Sequence, residues 1–115
     1  MSNGIFGVHG AALEIRSQRM AVLGANIANA GTPGYKARDI NFAEALRSRL
    51  DGNEAQQATA NAVEYRVPVM PSLDGNTVEM STEQVAFSEN AVAYSATLNF
   101  IRGRVETLTR AIRGE

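Results

Sequence analysis

The chain reads as mainly α: two long terminal amphipathic helices packed as a coiled-coil-like pair, with a short helix and a small extended or hairpin segment between them. Three observations carry that expectation. Apolar residues recur at helical spacing over both ends of the chain. The middle is punctuated by Gly, Pro, Asn and Asp, which favour turns. The C-terminal stripe steps alternately by three and four residues, the spacing of a coiled-coil seam.

The first helix can be capped by Ser2 or Asn3 and runs to about Ala30. Phe6, Leu13, Met20 and Ile27 recur every heptad, with Leu23 and Ala30 at the complementary positions. Beside them lie Ile5, Val8, Ala12, Ile15 and Val22, so the apolar face is broader than a dimeric seam needs. The helix then stops at an over-determined place. Asn26 and Asn29 are poor interior helix residues whose amides bond loop backbone. Gly31 and Gly34 are expected to take positive φ. Pro33 lacks an amide hydrogen and pushes Thr32 out of the α region. Thr32-Pro33-Gly34-Tyr35 therefore reads as a tight turn.

A second helix is expected over Asp39–Leu50, with Asn41 as its cap, Glu44 closing a capping box, and Phe42, Ala45, Leu46 and Leu50 on one face. Glu54–Ala62 is polar and alanine-rich and reads as a flexible linker or surface loop, with weak helix as the alternative. Val63–Val67 alternates as a strand does, until Pro68 and Pro71 exclude a central one. Leu73, Asp74, Gly75 and Asn76 form a turn leading into another short extended piece, so a hairpin or a two-pass extended segment is expected here. Ser81 with Gln84 offers a capping box for the last helix, which should reach about Arg113. Its seam is Phe87, Ala91, Tyr94, Leu98, Ile101, Val105, Leu108 and Ile112. Acidic residues precede or open this helix and Arg102, Arg104, Arg110 and Arg113 close it, matching the helix dipole.

Composition narrows the function. The chain has 115 residues, so one domain is the default, and 44% are hydrophobic. Net charge is -1, which argues against a partner bound by phosphate neutralisation. With no cysteine, disulfides and thiolate sites are excluded. No basic leader precedes an apolar core, and no run is long enough to span a membrane. The lone histidine, His9, faces no obvious partner. Asp74-Gly75-Asn76 lacks the later ligands of a calcium loop. No serine elbow, phosphate loop or dinucleotide fingerprint is present. Catalytic, cofactor and metal residues are therefore all expected to be none. Gly4, Gly7, Gly10 and Gly24 either weaken the first helix or allow close approach of a neighbour. Two helices of 25 to 30 residues, each about 40 Å long, flank a middle too small to cover them. An isolated pair would leave apolar surface wet, which implies assembly with other subunits.

Two blocks carry a resemblance. Asn26-Ile27-Ala28-Asn29 followed by Thr32-Pro33-Gly34-Tyr35-Lys36 is similar to the N-terminal signature of the bacterial flagellar rod and hook axial proteins. The extension Ala37–Phe42 and the central Tyr65–Pro68 and Pro71–Met80 resemble the most proximal rod subunit of that family. The match covers nearly the whole chain, although Glu54–Ala62 is shorter than the family's usual linker. The resemblance implies a non-enzymatic structural subunit of the rod, the drive shaft crossing the periplasm. It implies passage through the flagellar export apparatus without a cleavable signal, and helical assembly through the terminal helices. Implied partners are other copies of the chain, FlgC-type rod proteins, a FliE-type adaptor and the flagellar export gate. Nucleic acid, a small-molecule substrate and a membrane span are not implied. Within one rod-subunit domain, the helix-ending turn is carried onto Asn26, Asn29, Thr32, Pro33, Gly34 and Tyr35. A second turn is carried onto Leu73, Asp74, Gly75 and Asn76. The assembly seam is expected on Phe6, Leu13, Met20, Leu23 and Ile27 of the first helix, and on Tyr94, Leu98, Ile101, Val105, Leu108 and Ile112 of the last. A different rod subunit is the alternative within the family. A soluble helical adaptor of the export apparatus is the alternative outside it, and such an adaptor needs no pinned turns.

Overall fold

The computed structural model describes residues 7–114. Ser2, Asn3, Gly4, Ile5 and Phe6, to which a cap, a close approach and part of the seam were assigned, lie outside them. The elements in chain order are α1 (Gly7–Ala28), β1 (Arg38–Ile40), α2 (Phe42–Leu50), α3 (Ala55–Asn61), β2 (Val63–Tyr65) and α4 (Met80–Arg113). The molecule is elongated, 65 × 26 × 18 Å. The long axis belongs to α4, whose 34 residues span about 51 Å at the usual helical rise.

α1 and α4 pack antiparallel over the seam. His9 lies against Phe100 with ring centroids 4.2 Å apart, Asn90 donates to the Arg16 carbonyl at 2.8 Å, and Asn26 meets Glu83 at 2.7 Å. Thus His9 has a ring partner that periodicity did not reveal. Gly24 faces Phe87, where an added Cβ would sit 3.8 Å from the ring, an ordinary contact rather than a forced approach. Along the pair Leu23 is buried, while Leu13, Met20, Ile27, Tyr94, Leu98 and Ile101 are half-buried. Val105, Leu108 and Ile112 are exposed on the distal part of α4. That helix closes on Gly114, whose left-handed φ of 76° lets its N–H reach the Ala111 and Arg110 carbonyls.

The smaller elements build a core against one side of α1. Ile15 of α1 meets Ile40, Ala45, Ala58 and Ala62, with Val22, Phe42 and Val63 packed around them. Asn41 caps α2, its side chain accepting from the Glu44 amide at 3.1 Å. The reciprocal half of a capping box is absent, because the Asn41 N–H is taken by the Ala62 carbonyl at 2.9 Å. The expected start of α2 at Asp39 is also corrected: Arg38–Ile40 is a strand, paired antiparallel with Val63–Tyr65.

Three further expectations are overturned. Glu54–Ala62 is a helix over most of its length, not a flexible linker. Its Ala58 and Ala62 are almost wholly buried, because small side chains let α3 sit close to α1 and α2. The hairpin partner of Val63–Tyr65 is β1, from before α2, and not the segment after Leu73; α2 and α3 form the long connection between the strands. Ser81 is not the cap of α4. The helix begins at Met80 behind an extended Glu79, without a side-chain cap, and Ser81 is exposed.

Overpacking at the α3 contact should separate the core reading of this segment from a linker reading. Ala58→Leu is expected to destabilise by about 1–3 kcal/mol, whereas Gln57→Leu on the exposed side should change stability by less than about 0.5 kcal/mol. Thermal unfolding monitored by circular dichroism measures both. Gly24→Ala should raise stability by about 0.5–1 kcal/mol, since the site is helical and a methyl fits.

Candidate functional site: a joint between the terminal helices

The two sequence-assigned turns, remote in sequence, meet at the end of α1. Asn29, Ala30 and Thr32 continue the chain beyond Ala28 through successive turns. The Tyr35 N–H then bonds the Thr32 carbonyl at 3.2 Å, closing a turn with Pro33 and Gly34 at its corners. Gly34 takes a φ of 75°, as a type II turn requires at that position. Gly31 does not take positive φ, so that expectation is corrected. In the second turn Gly75 has a φ of 78°, and its N–H bonds the Ser72 carbonyl.

Asn76 fastens the second turn to the first. Its buried amide donates to the carbonyls of Asn29 and Ala30, each at 3.0 Å, and of Thr32 at 2.7 Å. These carbonyls belong to the turns that follow α1, and those of Asn29 and Thr32 also accept from the Thr32 and Tyr35 amides. The turns just past α1 are therefore held by a side chain more than 40 residues away. Its oxygen accepts from the Val78 N–H at 2.7 Å. Backbone bonds sew the two segments together: Gly34 N–H to the Asp74 carbonyl at 2.8 Å, and Thr77 N–H to the Tyr35 carbonyl at 2.9 Å. Lys36 Nζ reaches the Gly75 carbonyl at 2.6 Å, and the Ala37 N–H reaches Thr77 Oγ1 at 2.8 Å. Leu73 and Pro33 are exposed at the turn tips, and Asn29 Nδ2 bonds back to the Ala25 carbonyl.

One turn earlier on α1, Asn26 performs the same task for the strand. It is fully buried. Its Oδ1 accepts from the Arg38 N–H at 3.0 Å and from the Tyr35 hydroxyl at 3.4 Å. Its Nδ2 donates to the Arg38 carbonyl at 2.6 Å and to Glu83 Oε2 at 2.7 Å. All four hydrogen-bonding positions of the amide are used, as burial demands. Arg38 is thereby held as if by a neighbouring strand.

Glu83, also fully buried, receives Arg66 Nε on its other oxygen. Arg66 also bonds Asp39 Oδ2 at 3.2 Å, and Arg19 grips the same carboxylate bidentately at 2.7 and 3.0 Å. A chain Arg19–Asp39–Arg66–Glu83–Asn26 thus ties together α1, β1, the end of β2 and the first turns of α4. Burial alone would raise the Asp39 pKa, but the bonds from Arg19 and the Ile40 amide and the two guanidinium charges outweigh it, holding the carboxyl below its ordinary value. Arg19 is raised first by its bond to Asp39. For Arg66, burial works against the cation, and Glu83 and Asp39 more than compensate. An open cleft of about 440 Å³ beside Ser81, Val85 and Glu89 borders this chain. Its guanidinium groups are already committed to carboxylates, so it offers no free cation for an anionic ligand. Among the described residues no group of His, Asp and Glu side chains could hold a metal ion.

Arg19, Asp39, Arg66, Glu83 and Asn90 had no assigned role from sequence. A signal was present for three of them. Glu83 and Asn90 stand four residues before and three after Phe87, on the seam itself, and Arg19 falls seven residues before Asn26 on the same face of α1. A charged or amide group inside an apolar stripe is the mark of a buried polar contact.

Known proteins resemble this chain over most of its length. Residues 6–36 match the family described as Flagella basal body rod protein. A relative from Cereibacter sphaeroides, named Flagellar basal body rod protein FlgB, is 46% identical over 95% of this chain and 94% of its own length. The same name belongs to relatives from Aeromonas hydrophila, at 40% identity over 96% of this chain and 93% of the relative, and from Escherichia coli K12, at 39% over 89% and 88%. The chain belongs to the FlgB family of flagellar basal body rod proteins. It is thus a rod component of a structural family, and membership in the rod implies assembly with other rod proteins. No helix among the described residues is long and apolar enough to cross a membrane.

The buried ion pair makes a separable prediction. Arg66→Met leaves Glu83 buried without its cation and should cost about 3–5 kcal/mol, while Arg66→Met with Glu83→Gln, which removes the buried charge and keeps an acceptor for the Asn26 amide, should recover part of that loss. Denaturant melts of the two variants decide it. Acid should act through Asp39. Because its folded pKa lies below its unfolded value, its contribution is present above pH ~4 and fades as pH falls through the folded value. Asp39→Asn is therefore expected to be less stable at neutral pH and to lose less further stability on acidification, measured by melts between neutral and acidic pH.

Proposed function

We propose that this chain is a structural subunit of the proximal rod, self-assembling helically through its terminal helices as part of the drive shaft that transmits torque. It forms one rod-subunit domain, carries no catalytic or cofactor site, and resides in the rod within the periplasm, reached through the flagellar export apparatus without a cleavable signal. Its neighbours are further copies, FlgC-type rod proteins, a FliE-type adaptor and the flagellar export gate.

The observation that carries this reading is the doubly fastened joint. Asn76 fastens the turns that follow α1, and Asn26 binds both β1 and the start of α4. A subunit in a shaft must hold a fixed angle between its helices and its outer segment, since every copy repeats its contacts and a small error accumulates. The exposed Val105, Leu108 and Ile112 supply apolar surface on α4 for neighbouring subunits.

Electron microscopy of basal bodies from cells lacking this gene is the direct test. Rings and export apparatus without a rod are expected, and intact rods would overturn the assignment. Deletion of residues 31–35 should abolish rod assembly and swimming while leaving the protein synthesised; swimming at the parental rate would remove the role given to the joint.

A further inference from the structure

The cleft beside the first turns of α4 holds a charge that the neighbouring chain of ion pairs does not use. Arg19 and Arg66 line it, and both are held by carboxylates, Arg19 by Asp39 and Arg66 by Asp39 and Glu83. Glu89 lines the same cleft and is exposed, and no ion pair engages it among the described residues. Glu89 is therefore the carboxylate in excess. Arg16, the next cation on α1, lies 4.1 Å over the Phe42 ring and does not line the cleft. The rest of the lining is Ser81, Thr82, Ala86 and Val85, the last 57% exposed. A carboxylate beside small and apolar groups fits an arginine, whose stem can lie on the apolar part while its guanidinium meets the acid.

The other end of α4 has the reverse imbalance. Arg102, Arg104, Arg110 and Arg113 are all exposed, and Glu106 is the one acidic residue among them. Among the described residues no ion pair engages these arginines. They lie beyond the contact of His9 with Phe100, where Val105, Leu108 and Ile112 are also exposed. The two ends cannot neutralise each other within one chain. Along one continuous helix Glu89 is about 32 Å from Arg110 and about 36 Å from Arg113.

We infer that the cleft beside Glu89 receives Arg110 or Arg113 of a second copy of this chain, the last turns of α4 in one copy lying across the first turns of α4 in the next. Charge decides the arrangement. Cleft against cleft would oppose Glu89 to Glu89, and tail against tail would oppose arginines, so the head-to-tail contact is the one that pairs opposite signs. Such a contact does not close on itself and adds copies in one direction. An exposed ion pair contributes little affinity by itself. Val85 on one copy and Leu108 and Ile112 on the other supply apolar contact, and the pair fixes which residues meet. This inference rests on the rod reading and names one contact within it.

The test uses the full chain in flagellated cells, with a photo-crosslinker in place of Val85. The expected product is a dimer of this chain whose linked peptide, identified by mass spectrometry, falls within Arg102–Arg113. Glu89→Gln should lower its yield about two- to fivefold, and Arg110→Gln with Arg113→Gln should do the same. All three changes together should lower it no further than either set, because they remove one interaction. The melting curves should stay with the parent's, since these side chains are exposed. Absence of a dimer, a dimer linked cleft to cleft, an adduct with another protein in place of a second copy, or a yield that Glu89→Gln leaves unchanged would each overturn the inference. Rods that persist in cells lacking the gene would instead remove the rod reading, whatever the crosslinker at Val85 captures.

Discussion

Everything in this molecule leans on burying two amides and one carboxylate where an apolar seam would ordinarily run. Glu83 lies fully inside the contact between α1 and α4 and is tolerable there only because both oxygens are occupied, one by Arg66 and one by Asn26. Each of these partners is itself anchored elsewhere, Arg66 on Asp39 and Asn26 on the Arg38 backbone. None of the four side chains can leave without stranding another. Such a network specifies geometry: apolar contacts slide at small cost, whereas a buried donor must meet its acceptor within a few tenths of an ångström.

The second fastening, by Asn76, acts on backbone. A chain that leaves a helix through successive turns needs something to hold those turns in place. Here the fastening arrives from the Leu73–Asn76 turn, so the turns after α1 and the chain leading into α4 are ordered together. Gly34 and Gly75 make this approach possible, each in a left-handed conformation, with the Gly34 backbone 3.7 Å from where a Cβ on Gly75 would be. The joint therefore combines an electrostatic lock on one side of α1 with a backbone lock at its end. Together they set how the long helices meet the ribbon and the α2–α3 core, which is the quantity a rod subunit has to reproduce in every copy.

Sequence order and spatial order diverge most in the middle of the chain. Val63–Tyr65 carries the alternation of a strand, but alternation says nothing about partners, and the partner lies before α2. Three residues, Arg38–Ile40, are too few to show a period at all. The Glu54–Ala62 stretch has a disordered look because alanine, glutamine and asparagine carry little hydrophobic signal. Its burial depends on alanine fitting where nothing larger would, and that is a property of the neighbours rather than of the segment.

By itself the sequence determined the two long helices, the stop of the first (expected at about Ala30 and found at Ala28), the turns at Gly34 and Gly75, the Asn41 cap and the family. Those features rest on local physics: periodic apolar faces, the steric freedom of glycine, the missing donor of proline, and short side chains that bond nearby backbone. Tertiary structure alone decided that Asn76 fastens the turns after α1, that Asn26 completes the edge of β1, and that Arg19, Asp39, Arg66 and Glu83 form one chain. Each of these joins groups far apart in sequence, up to 57 residues between Asn26 and Glu83. A side chain's composition declares what it can bond, but only the packed chain brings the complementary group within reach.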